Sequence, residues 1–246
     1  MTEPTPALSF GSAAAAYDRF RPRYPREAVR WALDLTRPAA RVVDLGAGTG
    51  ILSREILAQG HHVVPVEPDP GMRAQLAAGT PGSTALAGSA ESIPLPDGDA
   101  DAVLVGQAYH WFDKERAHAE VARVLRPAGT FAPIWNMRDD RVDWVVELGR
   151  IAHLGDSADT LVGKLTDFGP AFDAIELGEF GHRTALAPEQ VIELVHTRSY
   201  YLTAERRQRD RVDRELWELF AGHPDLTGRQ TVELPYRTFV FRARRR

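Results

Sequence analysis

The chain has 246 residues, 43% hydrophobic and 26% charged, with a net charge of -4 at pH 7 and no cysteine. These values describe an ordinary folded domain. They give no electrostatic footprint for nucleic acid and exclude disulfides, thiol nucleophiles and cysteine-held zinc. No run of about 18 apolar residues occurs, so no membrane span is expected. The N-terminal MTEPTPALSF lacks the basic and apolar regions of a secretory signal, so a cytoplasmic setting is expected.

Residues 1–9 read as irregular. SAAAAYDRF, from Ser12, favours helix until Arg21-Pro22 stops it. Pro25 suits a first helical position and opens PREAVRWALDL. RVVDL (Arg41–Leu45) is a β-branched run ending at glycines, and ILSREILAQG (Ile51–Gly60) has helical spacing with a C-capping glycine. HVVPVE (His62–Glu67) is a second strand, with Pro65 awkward for a central position. PGMRAQLAAG (Pro70–Gly79) is a helix, STALAG (Ser83–Gly88) a weak third strand and DAVLVGQA (Asp101–Ala108) a strong fourth. Asp113 caps a further helix that Pro127 and Gly129 end, and TFAPIWN (Thr130–Asn136) is a fifth strand. Beyond it, 138–170 is helical or irregular, and IELGEFGHR (Ile175–Arg183) resembles a strand. Residues 188–222 are mostly helical, and TVELPYRTFVFRAR (Thr231–Arg244) is a closing strand with a short basic tail read as solvated. The alternation implies βαβ units, hence a doubly wound α/β domain with a mostly parallel sheet, spanning 1–246 as one unit.

In such sheets ligands bind beyond the carboxyl ends of the strands, where VVDLGAGTG (Val42–Gly50) lies. No Lys follows its glycines, which rejects a triphosphate loop, and Gly46, Gly48 and Gly50 are spaced one residue too short for the dinucleotide fingerprint. Asp44 would repel a pyrophosphate, but it can accept hydrogen bonds from an ammonium group or order the loop. S-adenosylmethionine (SAM), with no phosphate and two cationic centres, fits this pattern better. Glu67, ending the second strand, can take both hydroxyls of a ribose.

Asp44–Gly50 resembles the first motif of the class I SAM-dependent methyltransferases, and the neighbouring segments are similar to that family's later ones over residues 10–137. The resemblance implies a Rossmann-like sheet of seven strands, the last antiparallel and inserted beside the fifth. It implies that Gly46, Ala47 and Gly48 form the cofactor loop, with Pro68 and Met72 beside adenine. Ser89, Ala90 and Glu91 would meet the adenine edge, Ser89 standing where the family commonly has Asp and Glu91 compensating. Gln107 would face the cofactor after the fourth strand. In LRPAGT (Leu125–Thr130), Ala128 stands where Gly is usual.

QAYHWF (Gln107–Phe112) and AYDRFRPRYP (Ala16–Pro25) resemble small-molecule methyltransferases of the trans-aconitate methyltransferase-like group. That likeness implies that Tyr17, Arg21 and Tyr24 close over the cofactor, with Arg21 on the methionine carboxylate, and that residues 138–230 supply helical lid and acceptor-binding insertions. The DNA amino-methylation motif and a cysteine nucleophile are both absent, so a small-molecule acceptor is expected, methylated at a carboxylate or hydroxyl oxygen. His110 is the candidate base, and Tyr17, Trp111, Tyr24 and Trp135 are candidate aromatic faces for the cation. An NAD-dependent oxidoreductase and a SAM-binding protein without turnover remain as alternatives. No metal is expected: His61 and His62 would point to opposite faces of a strand, and Asp97, Asp99 and Asp101 fail the calcium-loop pattern. From Glu205–Leu216, a charge-alternating solvated helix, one Arg can clamp an anionic acceptor.

Overall fold

A computed structural model describes residues 18–19, 21–33, 39–80, 82–153, 160, 162–163 and 165–246. The N-terminal helix expected from Ser12 lies mostly outside these residues. Helix α1 (Arg26–Leu33) follows Pro25 and precedes β1 (Arg41–Leu45), α2 (Ile51–Ala58), β2 (His62–Val66) and α3 (Pro70–Gly79). Next come β3 (Ala100–Gly106), a 3-10 turn at Tyr109–Trp111, α4 (Lys114–Val124) and β4 (Leu125–Arg138). The remainder is α5 (Asp143–Ile151), β5 (Glu176–Leu186), α6 (Pro188–His196), α7 (Ser199–Thr203), α8 (Arg206–Gly222) and β6 (Val232–Arg244).

The sheet runs β2-β1-β3-β4-β6-β5. The pairs β2–β1, β1–β3 and β3–β4 are parallel, and β6 is antiparallel to both neighbours. The closing strand thus lies beside the strand of TFAPIWN, as the resemblance implies. Among the described residues there are six strands, not seven. The weak third strand reduces to one parallel bridge, Val66 to Leu86, because only Leu86 offers a large apolar side chain in a glycine-flanked polar stretch. That bridge also accommodates Pro65: its carbonyl accepts from Leu86 N–H at 2.8 Å, so its missing donor lies on the outer side of an edge strand.

The continuous apolar strands are explained by burial on both faces. On one face, Val43, Val103 and Phe131 pack with Ala117 and Val121 of α4. On the other, Val42, Leu104 and Ile134 pack with Val29 of α1 and Ile56 of α2. A third cluster joins α5, α6 and α8 to Leu234 and Tyr236 of β6. Residues 138–230 therefore contain the edge strand β5 as well as helices, and are not solely a cover over the sheet.

The basic end is likewise not a solvated tail. Strand β6 continues to Arg244, and Arg242 is buried, 2.5 Å from Glu176 and 3.9 Å from the centre of the Trp31 ring. Asp97, Asp99 and Asp101 form the expected turn, held by Arg123, Arg41 and Arg126 at 2.9, 2.9 and 2.6 Å. Ala128, where glycine is usual, sits at φ 62°, the left-handed region that favours glycine.

Candidate functional site

The loop between β1 and α2 has three glycines in the left-handed region: Gly46 at φ 70°, Gly48 at 56° and Gly50 at 83°. Alternate left-handed residues explain the tight Gly-x-Gly-x-Gly spacing, because each L side chain there would be strained. The N–H groups of Gly46 and Ala47 both donate to the Val66 carbonyl, at 2.8 and 3.1 Å, which ties the loop to the end of β2. Gly48 N–H donates to Glu67 Oε2 at 2.8 Å, and Asp69 N–H to Glu67 Oε1 at 2.9 Å. Glu67 thus ties the glycine loop, through Oε2, to the turn before α3, through Oε1, and each oxygen keeps lone-pair capacity for a ligand hydroxyl. Burial pushes its pKa up against these bonds.

Asp44 is fully buried. Its Oδ2 accepts from Ser53 Oγ at 2.6 Å, whereas Oδ1 has no hydrogen-bond partner. Desolvation outweighs the Ser53 bonds and pushes its pKa up to about 7. This carboxylate ties β1 to α2 through Ser53 and sets a negative charge at the wall of the adjoining cavity.

A cavity of about 580 Å³ opens above the loop. Arg21, Tyr24, Asp44, Gly46, Ala47 and Gly48 line it. So do Glu67, Pro68, Met72, Ser89, Ala90 and Glu91. Gln107, His110 and Trp111 complete the sequence-derived set, and Tyr17 lies outside the described residues. Met72 is buried and presents apolar wall. Ser89 and Ser92 exchange backbone bonds at 3.3 Å in a tight turn, and Glu91 Oε1 accepts from Asp113 N–H at 3.0 Å, so Glu91 also anchors the start of α4. Gln107 is held at φ 60° by bonds from its N–H to Ile134 O (3.0 Å) and from Nε2 to Asn136 O (2.9 Å). Strain of this kind persists where surroundings over-determine the backbone.

Other candidates fall elsewhere. Trp135 is buried in the core against Tyr109 and Phe241 and does not line the cavity. Tyr109 lies there too, its hydroxyl 2.8 Å from His118 Nε2. Trp111, by contrast, is 47% exposed and packs 4.7 Å from the His110 ring at the mouth, so it is not core. No Arg of α8 lines the cavity; besides Arg21, the arginine that does is Arg198, between α6 and α7. Sequence reasoning missed Arg198, Thr49 and Phe112. Thr49 and Phe112 belonged to motifs already singled out, and Arg198 to none. Among the described residues no group of three or more metal-type side chains exists.

Asn136 is the other residue without a sequence signal. Its Nδ2 donates to the carbonyls of Pro22 (3.3 Å) and Arg23 (3.2 Å), and its Oδ1 accepts from Thr238 Oγ1 at 2.6 Å. It fastens the segment carrying Arg21 and Tyr24 to the end of β4. The Tyr24 hydroxyl then lies over Gly106, where an added Cβ would sit 2.7 Å from it. Asn136→Ala is expected to weaken S-adenosylhomocysteine (SAH) binding about tenfold, with thermal stability reduced only modestly. Unchanged affinity by calorimetry would limit Asn136 to a structural role.

The lining suits SAM: a buried carboxylate with one oxygen unbonded stands at the cavity wall, a second carboxylate is braced for hydroxyls, and a Cβ at Gly48 would meet no atom within 4 Å. Phosphates would meet Asp44 and Glu67 instead.

Comparison with known proteins agrees with the geometry. Residues 43–132 match a family model described as a methyltransferase domain. The chain is 44% identical over 237 residues to an uncharacterized methyltransferase of Mycobacterium bovis, covering 96% of each. It is 30% identical over 248 residues to an uncharacterized methyltransferase-like protein of Schizosaccharomyces pombe, covering 98% of this chain and 97% of that one. A solved structure assigned as a type II methyltransferase, from Anaeromyxobacter dehalogenans, superposes with a TM-score of 0.69 at 27% identity over 92% of this chain and 98% of that one.

Proposed function

The chain belongs to the class I SAM-dependent methyltransferases, and on that premise we propose that it methylates an oxygen, carboxylate or hydroxyl, of a small-molecule acceptor. Family membership removes the oxidoreductase alternative. The observation that carries the choice of oxygen is His110. It stands at the cavity rim beside the exposed ring of Trp111, and desolvation pushes its pKa below the ordinary 6.5. A neutral imidazole there can accept a hydroxyl proton, and a carboxylate acceptor needs no base.

When bound, SAM supplies a methyl group activated by a sulfonium. The residues of this chain then have separate tasks. Gly46, Ala47 and Gly48 give close backbone approach, with Asp44 setting a negative field behind them. Glu67 offers acceptors for ribose hydroxyls. Met72, Pro68 and the Ser89–Glu91 turn wall the adenine. Arg21 pairs with the methionine carboxylate, and Tyr24 covers the chamber. Trp111 and the helical segments within 138–230 exclude water, which favours a charge-neutralising displacement. The negative overall charge and the lack of a membrane-length apolar helix among the described residues support a free, cytoplasmic acceptor.

Calorimetry with SAH tests the cofactor assignment; absence of micromolar binding overturns it. Transfer of labelled methyl to paired phenols and carboxylic acids tests the acceptor atom. His110→Gln is expected to slow a hydroxyl acceptor about 100-fold or more and to leave a carboxylate acceptor nearly unaffected. With wild type, the rate on a hydroxyl acceptor should rise with pH through a value below 6.5 and then level, since only the neutral ring accepts a proton.

A further inference from the structure

The turn after β3 is pegged from behind. Gln107, Ala108, His110, Trp111 and Phe112 line the cavity, and Tyr109, in their midst, does not. Tyr109 is 3% exposed and enters the core, where its ring packs edge-on to Phe112, Trp135 and Phe168 at 5.9, 5.8 and 6.0 Å. Its hydroxyl lies 2.8 Å from Nε2 of His118 on α4. Burial pushes the phenol pKa up and the His118 pKa down; Asp167 adds to the first shift and opposes the second. Lys114, 5.6 Å from the centre of the Tyr109 ring, lowers His118 further. The phenol therefore donates, and a neutral imidazole accepts. Gln107 holds the start of the turn to β4, and Glu91 holds its end at Asp113. Between these points the bond from Tyr109 to His118 fastens the turn to α4. In a 3-10 turn neighbouring side chains point about 120° apart, so the direction of Tyr109 fixes that of His110. The turn cannot slide toward the glycine loop, since a Cβ on Gly46 would already lie 2.7 Å from the Ala108 Cβ.

We propose that Tyr109 and His118 are positioning residues for methyl transfer: the hydrogen bond between them holds His110 and Trp111 at the cavity from the far side of the turn. This rests on the reading of His110 as the group that meets the acceptor. A misplacement of about 1 Å can cost about 100-fold in rate. One hydrogen bond in an aromatic core can prevent it, because a phenol hydroxyl left unpaired there is unfavourable. The pair lies outside the cavity, so removing it takes away no ligand contact. Tyr109→Phe keeps the ring and its aromatic neighbours and deletes the oxygen alone.

The test uses the full-length protein in two measurements. One is labelled-methyl transfer from SAM to a phenol. The other is the titration of the His110 ring by NMR in the unliganded protein, its signals assigned by their loss in His110→Gln. Tyr109→Phe is expected to lower kcat about 10- to 100-fold while SAH affinity moves less than about threefold. The His110 midpoint, below 6.5 in the wild type, should move up toward 6.5 as the loosened turn lets water reach the ring. His118→Leu should reproduce both changes. His118→Gln, whose amide oxygen still accepts from the phenol, should restore much of the rate. Val121→Ala, in the core cluster on the same helix, should lower the melting temperature without moving the His110 midpoint. The proposal is overturned if Tyr109→Phe keeps the wild-type kcat and midpoint, or if His118→Gln and His118→Leu behave alike. It is also overturned if Val121→Ala shifts the midpoint as far as Tyr109→Phe does. If His110→Gln transfers methyl at the wild-type rate, the reading of His110 as a base fails. The titration, which needs no acceptor, then decides for or against the pair by itself. Should Tyr109→Phe fail to fold, the contrast between His118→Gln and His118→Leu decides the matter.

Discussion

Asp44→Asn is expected to weaken SAH binding about 10- to 100-fold while raising the stability of the unliganded protein. Both effects come from one cause. The carboxylate is completely buried, one oxygen is held by Ser53 and the other is unbonded. An amide of the same shape is less costly to bury than a carboxylate, so the empty fold gains by about 1–2 kcal/mol. It loses the negative field behind Gly46–Gly48 that favours the ammonium group of SAH. Opposite shifts in melting temperature and ligand affinity are the signature to measure. Equal affinity in the variant would remove Asp44 from cofactor recognition.

The same residue sets a pH dependence. Its folded pKa of about 7 lies above the unfolded value near 3.9. Between these values the folded protein binds more protons than the unfolded one, so this group makes the unliganded protein less stable as pH rises from about 4 to about 7. A bound cation favours the ionised form and releases the proton. SAH affinity should therefore rise with pH up to about 7 and then level, and Asp44→Asn should flatten that slope. His110, His118 and His182 are shifted down by burial and pull the stability of the empty protein the other way. The difference between liganded and unliganded melts, at pH 5.5 and pH 8, isolates the Asp44 contribution.

The wall of the cavity was legible because it is local. Asp44, Gly46, Gly48, Glu67 and Met72 sit within one βαβα stretch, where strand ends and turn chemistry dictate what each backbone position needs. Residues joined only by the sheet order were not legible. Asn136 reaches Pro22 and Arg23 because β4 ends beside the N-terminal segment, and Tyr236 faces Arg138 because β6 inserts antiparallel between β4 and β5. Nothing in PYRTF or WNMRD announces this. Trp135 is a related case: nothing in TFAPIWN shows that its ring packs inward against Tyr109 and Phe241. Arg198 reaches the cavity from a turn between two short helices, where neither periodicity nor motif points inward. The missing strand near Leu86 follows from composition, since one large apolar side chain cannot hold a ladder.

The glycine loop gives the sharpest contrast, in two substitutions of the same kind. In Gly46→Ala the new Cβ would lie 2.7 Å from the Ala108 Cβ, at a φ of 70°. Neither atom can swing away, since both are fixed to backbone, so the loop or the end of β3 must move. Left-handed strain and overpacking together should cost about 3 kcal/mol. The shift would also part Gly46 and Ala47 from the Val66 carbonyl, and SAH binding should fall below detection. In Gly48→Ala the φ of 56° carries a similar strain, about 1 kcal/mol, but no atom lies within 4 Å of the added Cβ. That variant should fold with a small loss of melting temperature, and its methyl would occupy the space that the loop keeps open for a ligand. SAH affinity should then fall about tenfold or more, a loss out of proportion to the stability change. Near-normal binding by Gly48→Ala would mean that the cofactor does not approach the loop at this residue. Near-normal folding of Gly46→Ala would mean that the contact with Ala108 relaxes cheaply and that the first glycine is required only for its backbone angle.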